Sequence, residues 1–221
     1  MGFDEVTASS LVKIDHEGKV LHPGSVAGTV NLAGFNIHGA VHTARKDAIC
    51  VMHTHEPSTA AVASMKCGFL PGMSQHAMLI GEVPIHKYEL TTGPTGPEGC
   101  QKMAHDLGPT ARAILLENHG VITLGETIPE CMMRLFYITK ACDIQVKALG
   151  SRQYLDDVNV VTDMEKLGAL EYGGRLFMSG IGGSEFAHWT RIIDRANPGN
   201  HSFELDICFH LRILTNTPLI A

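Results

Sequence analysis

The organisation of this chain is clearest at one segment, Cys50-Val51-Met52-His53-Thr54-His55-Glu56-Pro57. An apolar run that begins at Ala48 ends here in two histidines one residue apart, and the proline then introduces a helical segment. Residues i and i+2 of an extended strand point to the same side. His53 and His55 therefore present two imidazoles to one point at the end of a buried strand, which is half of a divalent-metal site, most commonly a zinc site. A chance pair of histidines on a half-exposed strand is the alternative.

The composition limits the kind of protein this can be. The chain has 221 residues, of which 44% are hydrophobic and 18% charged, a balance typical of one globular domain with a sizeable core. Its net charge of -6 argues against a nucleic-acid-binding surface. The sequence contains no apolar run of about 18 residues and no signal-peptide pattern at its start. The six cysteines are scattered, without a CxxC motif, as is typical of reduced thiols in a cytosolic protein.

A third histidine follows much later, between two further predicted strands. The apolar run 111–116 meets Glu117-Asn118-His119-Gly120, and residues 121–124 are again typical of a strand. The polar residues predict a turn that holds His119 at the edge of the sheet, and Gly120 allows close backbone approach or a positive φ. A single histidine here is ordinarily a turn residue. Because His119 also projects from a strand end, the three imidazoles together would match a catalytic zinc site with one open position.

Two more histidines lie on a short helix predicted over residues 31–42, where the apolar residues fall at helical spacing. His38 and His42 are one turn apart, a spacing that two metal ligands can use. Each has two structural alternatives. It can be a packed histidine hydrogen-bonded to the backbone, or it can orient a true ligand from outside the metal's coordination shell.

The rest of the pattern outlines short strands alternating with helices. Strands are predicted at residues 7–14, 19–21 and 80–88, and helices at 58–65, 97–107 and 127–149, with a short helix opening at Ser74. Residues 184–195 are amphipathic. Thr127 or Glu126 is expected to cap the longest helix. Residues 168–183 have the glycine-rich composition of a linker or lid, and the tail 196–221 has no assignable role. Because the chain begins almost directly in a predicted strand, we expect the domain to start upstream of Met1.

Several blocks of sequence, spaced along the chain, carry a family resemblance. They are residues 5–13, Ala33-Gly34-Phe35 with His38, residues 51–55, residues 64–68, Gly81-Glu82-Val83 and Asn118-His119-Gly120. In these blocks the chain resembles the class II aldolase/adducin family, and within it adducin head domains and bacterial adducin-like proteins. The resemblance implies an α/β fold over residues 1–195, a three-layer α/β/α sandwich around a mostly antiparallel sheet, assembled as a homotetramer. It also implies that His53, His55 and His119 hold zinc or a similar divalent ion.

One position departs from the family's enzymes. The aldolases that the chain resembles use a glutamate upstream of the His-x-His pair as acid and base, and alignment on residues 47–53 puts Gly34 in its place. Glycine has no proton to exchange, so the retro-aldol mechanism is not expected to carry over unchanged. The side chains that could replace the carboxylate are Glu56, Glu82, Glu117 and Tyr88, and each of them also has a structural explanation.

Two functions are compatible with these observations. In the first, the chain is a self-associating, metal-binding adducin-like domain in the cytoplasm, linked to the actin and spectrin cytoskeleton. In the second, it is a metal-dependent lyase, an aldolase or decarboxylase, that acts on a small hydroxy-carbonyl or carboxylate compound. The ion would then polarise a carbonyl or enediolate oxygen, and His38 is the candidate catalytic residue that moves the proton. The missing carboxylate favours the first function.

Overall fold

The computed structural model describes residues 5–25, 30–87, 96–150, 159–160 and 180–196. Its contacts divide them into two compact units, one before Asn36 and from Glu185 onward, the other between these positions. The predicted boundary between a domain 1–195 and a tail 196–221 lies at the edge of the described residues. In this part of the chain, no helix combines the length and the apolar character needed to cross a bilayer.

The first unit begins with a short 3-10 helix and a small antiparallel ribbon. The helix is Ala8–Ser10, and the strands are β1 (Lys13–Ile14) and β2 (Val20–His22). The prediction of a continuous strand over residues 7–14 is therefore wrong in its first half. Its cause is local: the Ser10 hydroxyl accepts from the Thr7 N–H at 2.9 Å and donates to the Thr7 carbonyl at 2.8 Å. Such short side-chain bonds to the backbone compete with strand formation.

The described elements that follow are a mixture of helices and strands. They are α1 (Leu32–Ala44), β3 (Cys50–Thr54), α2 (Pro57–Ala63), α3 (Gln75–Ile80), β4 (Ile85–His86), α4 (Gly96–Leu107), β5 (Ala113–Leu116), β6 (Gly120–Gly125), α5 (Ile128–Leu149) and α6 (Gly183–Ala196). Thr127 caps α5, as predicted, through a 3.2 Å bond from the Glu130 N–H to its hydroxyl. The prediction of a strand from Ile80 is wrong, because Ile80 ends α3 and Gly81 (φ 77°) stops that helix. Tyr88 lies outside the described residues.

Four strands form one sheet in the order β3-β6-β5-β4. The β3–β6 and β6–β5 pairs are antiparallel, and only β4 runs parallel to β5. The expected mostly antiparallel sheet is therefore confirmed. Since β6 joins β5 through a short turn and also pairs with β3, it connects the two segments that carry the predicted metal ligands.

Helices cover both faces of this sheet. Alternate residues of a strand point to opposite faces, and Leu115 and Val121 pack with α2, α3 and α5, whereas Ile114 and Ile122 pack with α1 and α4. Each of these four side chains is fully buried, and burial of one contributes roughly 2 kcal/mol to stability. The predicted three-layer α/β/α arrangement is confirmed. The apolar cores on the two faces of the sheet stabilise the strands whose ends carry the histidines.

Candidate metal centre

The histidines converge because of strand register. In the antiparallel β3–β6 pair, His53 lies opposite Ile122 and Thr54 opposite Val121. The end of β3 therefore lies beside the start of β6, and His119 immediately precedes that start. The sheet brings His55 and His119 to the same edge, although the two are far apart along the chain.

The turn that carries His119 is short and is held in place by backbone hydrogen bonds. Residues 117–119 connect β5 to β6, and the His119 N–H donates to the Leu116 carbonyl at 3.0 Å. Asn118 has a φ of 56°, a left-handed conformation that asparagine tolerates better than most residues. The Glu117 N–H donates to the His86 carbonyl of β4 at 2.9 Å. These backbone bonds fix the direction from which His119 approaches the site.

Gly120 permits the close approach that the sequence predicted. A Cβ atom at this position would collide with the carbonyl oxygen of Thr54 and would lie 3.3 Å from the Cα of His55. Only glycine leaves room for the backbone of β3 to pass at this point. The β3 segment with its two histidines can therefore lie directly against the residue that follows His119.

The three imidazoles point their Nε2 atoms at one another. The Nε2 of His55 lies 2.8 Å from that of His53 and 2.5 Å from that of His119. The ring centroids are separated by 4.7, 4.9 and 4.3 Å, and the ligand atoms all lie within 4.8 Å of one another. The structure thus brings together the three residues proposed as ligands. It forms a group that could hold a metal ion.

The donor chemistry of this cluster fits a cation. The Nδ1–H of His53 donates to the Val121 carbonyl at 3.0 Å, so the neutral ring directs an Nε2 lone pair into the cluster. The Nε2 of His55 faces two nitrogens and carries at most one proton, so at most one of its two short contacts is an ordinary hydrogen bond. A cation at the centre would satisfy the remaining lone pairs, and the Val121 carbonyl orients its ligand as backbone groups do in metal sites.

Burial keeps two of these rings neutral. It lowers the pKa of His119 to about 4, with further lowering from the nearby His53 and His55. It also lowers the pKa of His53, where the Val121 hydrogen bond acts in the opposite direction. Metal ligands must be deprotonated, so both rings are in the form that a cation needs.

The histidines of α1 have separate surroundings. His42 directs its Nδ1 to the Ala48 carbonyl at 2.7 Å, which is the backbone-bonded alternative. Burial lowers the pKa of His38 to about 4, and His53 is the next largest cause, which places the two rings near one another. The Nδ1 of His38 is buried and has no hydrogen-bond partner among the described residues. His38 thus lies beside the cluster without belonging to it.

The carboxylates proposed as substitutes for the missing glutamate cap a helix, lie exposed to solvent or lie in a turn. Glu56 caps α2, where its carboxylate accepts from the N–H groups of Ser58 and Thr59 at 2.9 and 3.1 Å. Glu82 is exposed, and Glu117 lies in the turn beside His119. At Gly34, a Cβ atom would make only ordinary contacts with the Asn31 side chain, at 3.8 and 3.9 Å. A Cβ atom at position 34 therefore meets no obstacle there.

One contributor to the site could not be named from the sequence. The carbonyl of Val121 sets the orientation of His53, but every residue carries a carbonyl, so residue types do not mark it. Only the register of the β3–β6 pair selects it. The available signal was the position of the apolar run after His119, which predicts the strand but not its partner.

Comparison with known proteins agrees with this architecture. The family model described as "Class II Aldolase and Adducin N-terminal domain" matches residues 1–146. Rat beta-adducin is 36% identical over 200 residues, which cover 86% of this chain and 27% of beta-adducin. Human gamma-adducin is 39% identical over 205 residues, 88% of this chain and 28% of gamma-adducin. The chain thus spans little more than a quarter of the length of these relatives.

Solved structures show the same fold. An aldolase II superfamily protein from Pseudomonas syringae superposes with a TM-score of 0.74 at 31% identity, over 89% of this chain and 76% of the other. L-fuculose 1-phosphate aldolase from Glaciozyma antarctica PI12 superposes with a TM-score of 0.73 at 24% identity, over 92% and 75% of the two chains. At that identity the second likeness concerns the fold alone. From the sequence match and the shared fold together, this chain belongs to the class II aldolase and adducin family.

Proposed function

We propose that this chain is an adducin-like domain that holds one divalent cation, with zinc as the first candidate, on His53, His55 and His119, and that it self-associates. The observation that carries the metal proposal is the convergence of three Nε2 atoms within 4.8 Å at the end of β3. Imidazole is a ligand that zinc shares with copper, iron and nickel. Zinc is preferred here because three histidines with an open fourth position form a common zinc arrangement.

The residues around the cluster support this assignment. The Val121 carbonyl holds the ring of His53, the turn 117–119 holds His119, and burial keeps both rings neutral. His55 is exposed, so the cluster is accessible from solvent. When bound, the ion would supply a positive charge able to polarise a carbonyl oxygen.

The adducin-like function has more support than the lyase. Curated adducins are 36% to 41% identical to this chain, Gly34 offers no acid or base, and Glu56 is engaged in capping α2. The homotetramer, the actin and spectrin contacts and the cytoplasmic, cytoskeletal location that the resemblance implies are part of this proposal. So is the extent of the domain over residues 1–195.

One observation favours the alternative, a metal-dependent lyase acting on a small hydroxy-carbonyl or carboxylate compound. His38 lies beside His53 with a buried Nδ1 that has no hydrogen-bond partner among the described residues. A histidine in this place could move a proton to or from a compound that approaches the exposed His55. In that case His38 is the catalytic residue and the cluster positions its substrate.

Metal analysis of the purified chain tests the first proposal. We expect about one zinc ion per chain in the native protein, in keeping with a three-ligand site, and almost none in His119→Ala. His16→Ala is the matched control, because His16 is exposed on the turn between β1 and β2, and it should retain the metal. Equal metal content in all three proteins would contradict the assignment of the ligands.

A second experiment decides between the two functions. The native chain and Gly34→Glu, loaded with zinc, are assayed for cleavage of a panel of hydroxy-carbonyl and carboxylate compounds. The adducin-like function predicts no turnover by the native chain. Turnover by the native chain that is lost in His38→Ala would instead establish the lyase, and turnover by Gly34→Glu alone would show that the missing carboxylate separates the two functions.

A further inference from the structure

Two cysteines from distant parts of the chain meet at the other end of β3. Cys50 is the first residue of β3 and pairs with Gly125, the last residue of β6. A Cβ atom at Gly125 would lie 2.7 Å from the backbone nitrogen of Cys131 and 3.1 Å from its Cα. The first turn of α5 therefore packs directly on the end of β6, and this contact places Cys131 beside Cys50.

The sulfur of Cys131 lies where β3 and β6 meet. It donates to the Thr123 carbonyl at 3.3 Å and lies 3.6 Å from the Thr123 hydroxyl. The Cys50 thiol raises the pKa of this sulfur and the Met52 N–H lowers it, so both groups of β3 lie close to it. Directly paired residues of neighbouring strands point to the same face of a sheet, so the Cys50 side chain lies on the face against which Cys131 packs at Gly125.

The two thiols differ in chemical character. Cys131 is fully buried, and its hydrogen bond with Cys50 together with burial raises its pKa, so it remains a neutral thiol. The same hydrogen bond lowers the pKa of Cys50, and burial only partly opposes this effect. Cys50 is also the more accessible of the two. A peroxide must reach the sulfur that it oxidises, so the partly exposed Cys50 is the nucleophile of the pair and the fully buried Cys131 is its neighbour.

The other described cysteines lack such an arrangement. Burial raises the pKa of Cys142 to about 12, so Cys142 does not supply the thiolate that attacks a peroxide. The thiol of Cys67 donates to the Gly68 carbonyl at 3.7 Å. These thiols serve as internal references in the same molecule.

We infer that Cys50 and Cys131 form an oxidisable dithiol site, which a peroxide converts into a disulfide that joins β3 to α5. The Cys50 thiolate attacks one peroxide oxygen, the O–O bond breaks, and a sulfenic acid forms while the leaving oxygen takes a proton to become water. The Cys131 sulfur then attacks the sulfenic sulfur. The S–S bond forms, the S–O bond breaks, and the hydroxyl leaves as water with the thiol proton of Cys131. Overall, two thiols lose two electrons and two protons to one peroxide, which yields two water molecules.

Peptide mapping of the full chain tests this site. The reduced protein is treated with one equivalent of hydrogen peroxide, denatured in acid, alkylated, digested and examined by mass spectrometry. We expect two of the six thiols to be lost together, in a cross-linked peptide pair that contains Cys50 and Cys131. Because this measurement uses the native chain, its result does not depend on whether any variant folds.

Variants sharpen the test. Cys131→Ser should abolish the cross-link and leave sulfenic or higher oxides on Cys50, whereas Cys67→Ser should form the cross-link as the native chain does. The inference is overturned if Cys50 pairs instead with Cys67, Cys100, Cys208 or another chain. It is equally overturned if both Cys50 and Cys131 remain alkylatable while other thiols are oxidised.

Discussion

At each end of the β3–β6 strand pair, a glycine of β6 allows another segment to pack closely, but the two ends carry different chemical groups. At one end, Gly120 lets the chain pass close to Thr54, and three imidazoles converge beside it. At the other end, Gly125 lets the first turn of α5 pack close, and two thiols meet there. Both sites thus depend on a glycine at a terminus of β6, because only a missing side chain allows a second segment to approach so closely.

The two ends differ in solvent exposure, and this exposure determines how each site can react. His55 at the imidazole end is exposed, which suits a site for an ion that must enter from solvent. Cys131 at the thiol end lies on the buried face of α5 with none of its surface exposed, which suits chemistry confined to its neighbour. We therefore expect perturbations at one end to leave the other largely intact.

The largest effect is expected at the thiol end, from Glu130→Ala. Arg134 is only 3% exposed and donates to the Leu124 carbonyl and to the Glu130 carboxylate. Loss of the carboxylate leaves a buried cation without its partner, which should lower the free energy of unfolding by roughly 4 kcal/mol. Urea denaturation measures this change. Asp143→Ala breaks the exposed pair with Lys147 and is the control, expected to cost less than about 0.5 kcal/mol.

The next effect is expected at the imidazole end, from Gly120→Ala. The added methyl collides with the Thr54 carbonyl, so the unfolding free energy should fall by roughly 3 kcal/mol, and metal content should fall with it. Gly39→Ala is the control, since nothing lies within 4 Å of a Cβ there, and it should be neutral or slightly stabilising. Gly125→Ala should instead keep the metal and lose the dithiol cross-link. Loss of metal in Gly125→Ala would show that the two ends are coupled.

A third prediction concerns metal removal. Zinc at about a hundred times its dissociation constant should add about 2.7 kcal/mol to the stability of the native chain, visible as a rise in Tm that a chelator reverses. His55→Ala should lose this rise, because it removes one of three ligands. Cys50→Ser should keep it, because its sulfur lies at the opposite end of β3. A zinc-dependent rise that survives in His55→Ala would place the ion elsewhere.

The smallest effect is a pH dependence near the start of β3. The Arg45 guanidinium, bonded to the Asp47 carboxylate at 2.5 and 2.7 Å, lowers the pKa of Asp47 below its ordinary value of 3.8. Because the folded-state pKa is depressed, its stabilisation is present above pH 3.8 and disappears as the pH falls through the lower value. Asp47→Asn should therefore cost less than about 1 kcal/mol at neutral pH, as this carboxylate is partly exposed. A stability difference between the two proteins that persists in strong acid would refute this origin.

Much of the imidazole end could be predicted from the sequence. The His53 and His55 pair, the turn before Gly120 and the strand after it are local patterns, and each follows from residue types at fixed spacing. Their convergence required only that strand ends meet at one edge of a sheet. The helix α5 and its Thr127 cap were predictable for the same reason, since a cap residue followed by an apolar stripe is a local signal.

The thiol end could not be predicted in this way. Cys50 and Cys131 are ordinary apolar-stretch cysteines along the sequence, and their contact results from the pairing of Cys50 with Gly125 and the packing of α5 on β6. Two secondary-structure predictions were wrong. The hydroxyl of Ser10 turns the chain where β-branched residues favoured a strand, and Ile80 is buried in a helix rather than in the strand that its residue type suggested.

The bond between His53 and the Val121 carbonyl has one more consequence. An imidazole ring that is held by another side chain loses its orientation when a mutation removes that side chain. A main-chain carbonyl, in contrast, is present whatever residue occupies position 121. The orientation of His53 is thus inherited from the pairing of two strands. Substitutions around the cluster should therefore leave the orientation of the His53 ring unchanged for as long as β3 and β6 remain paired.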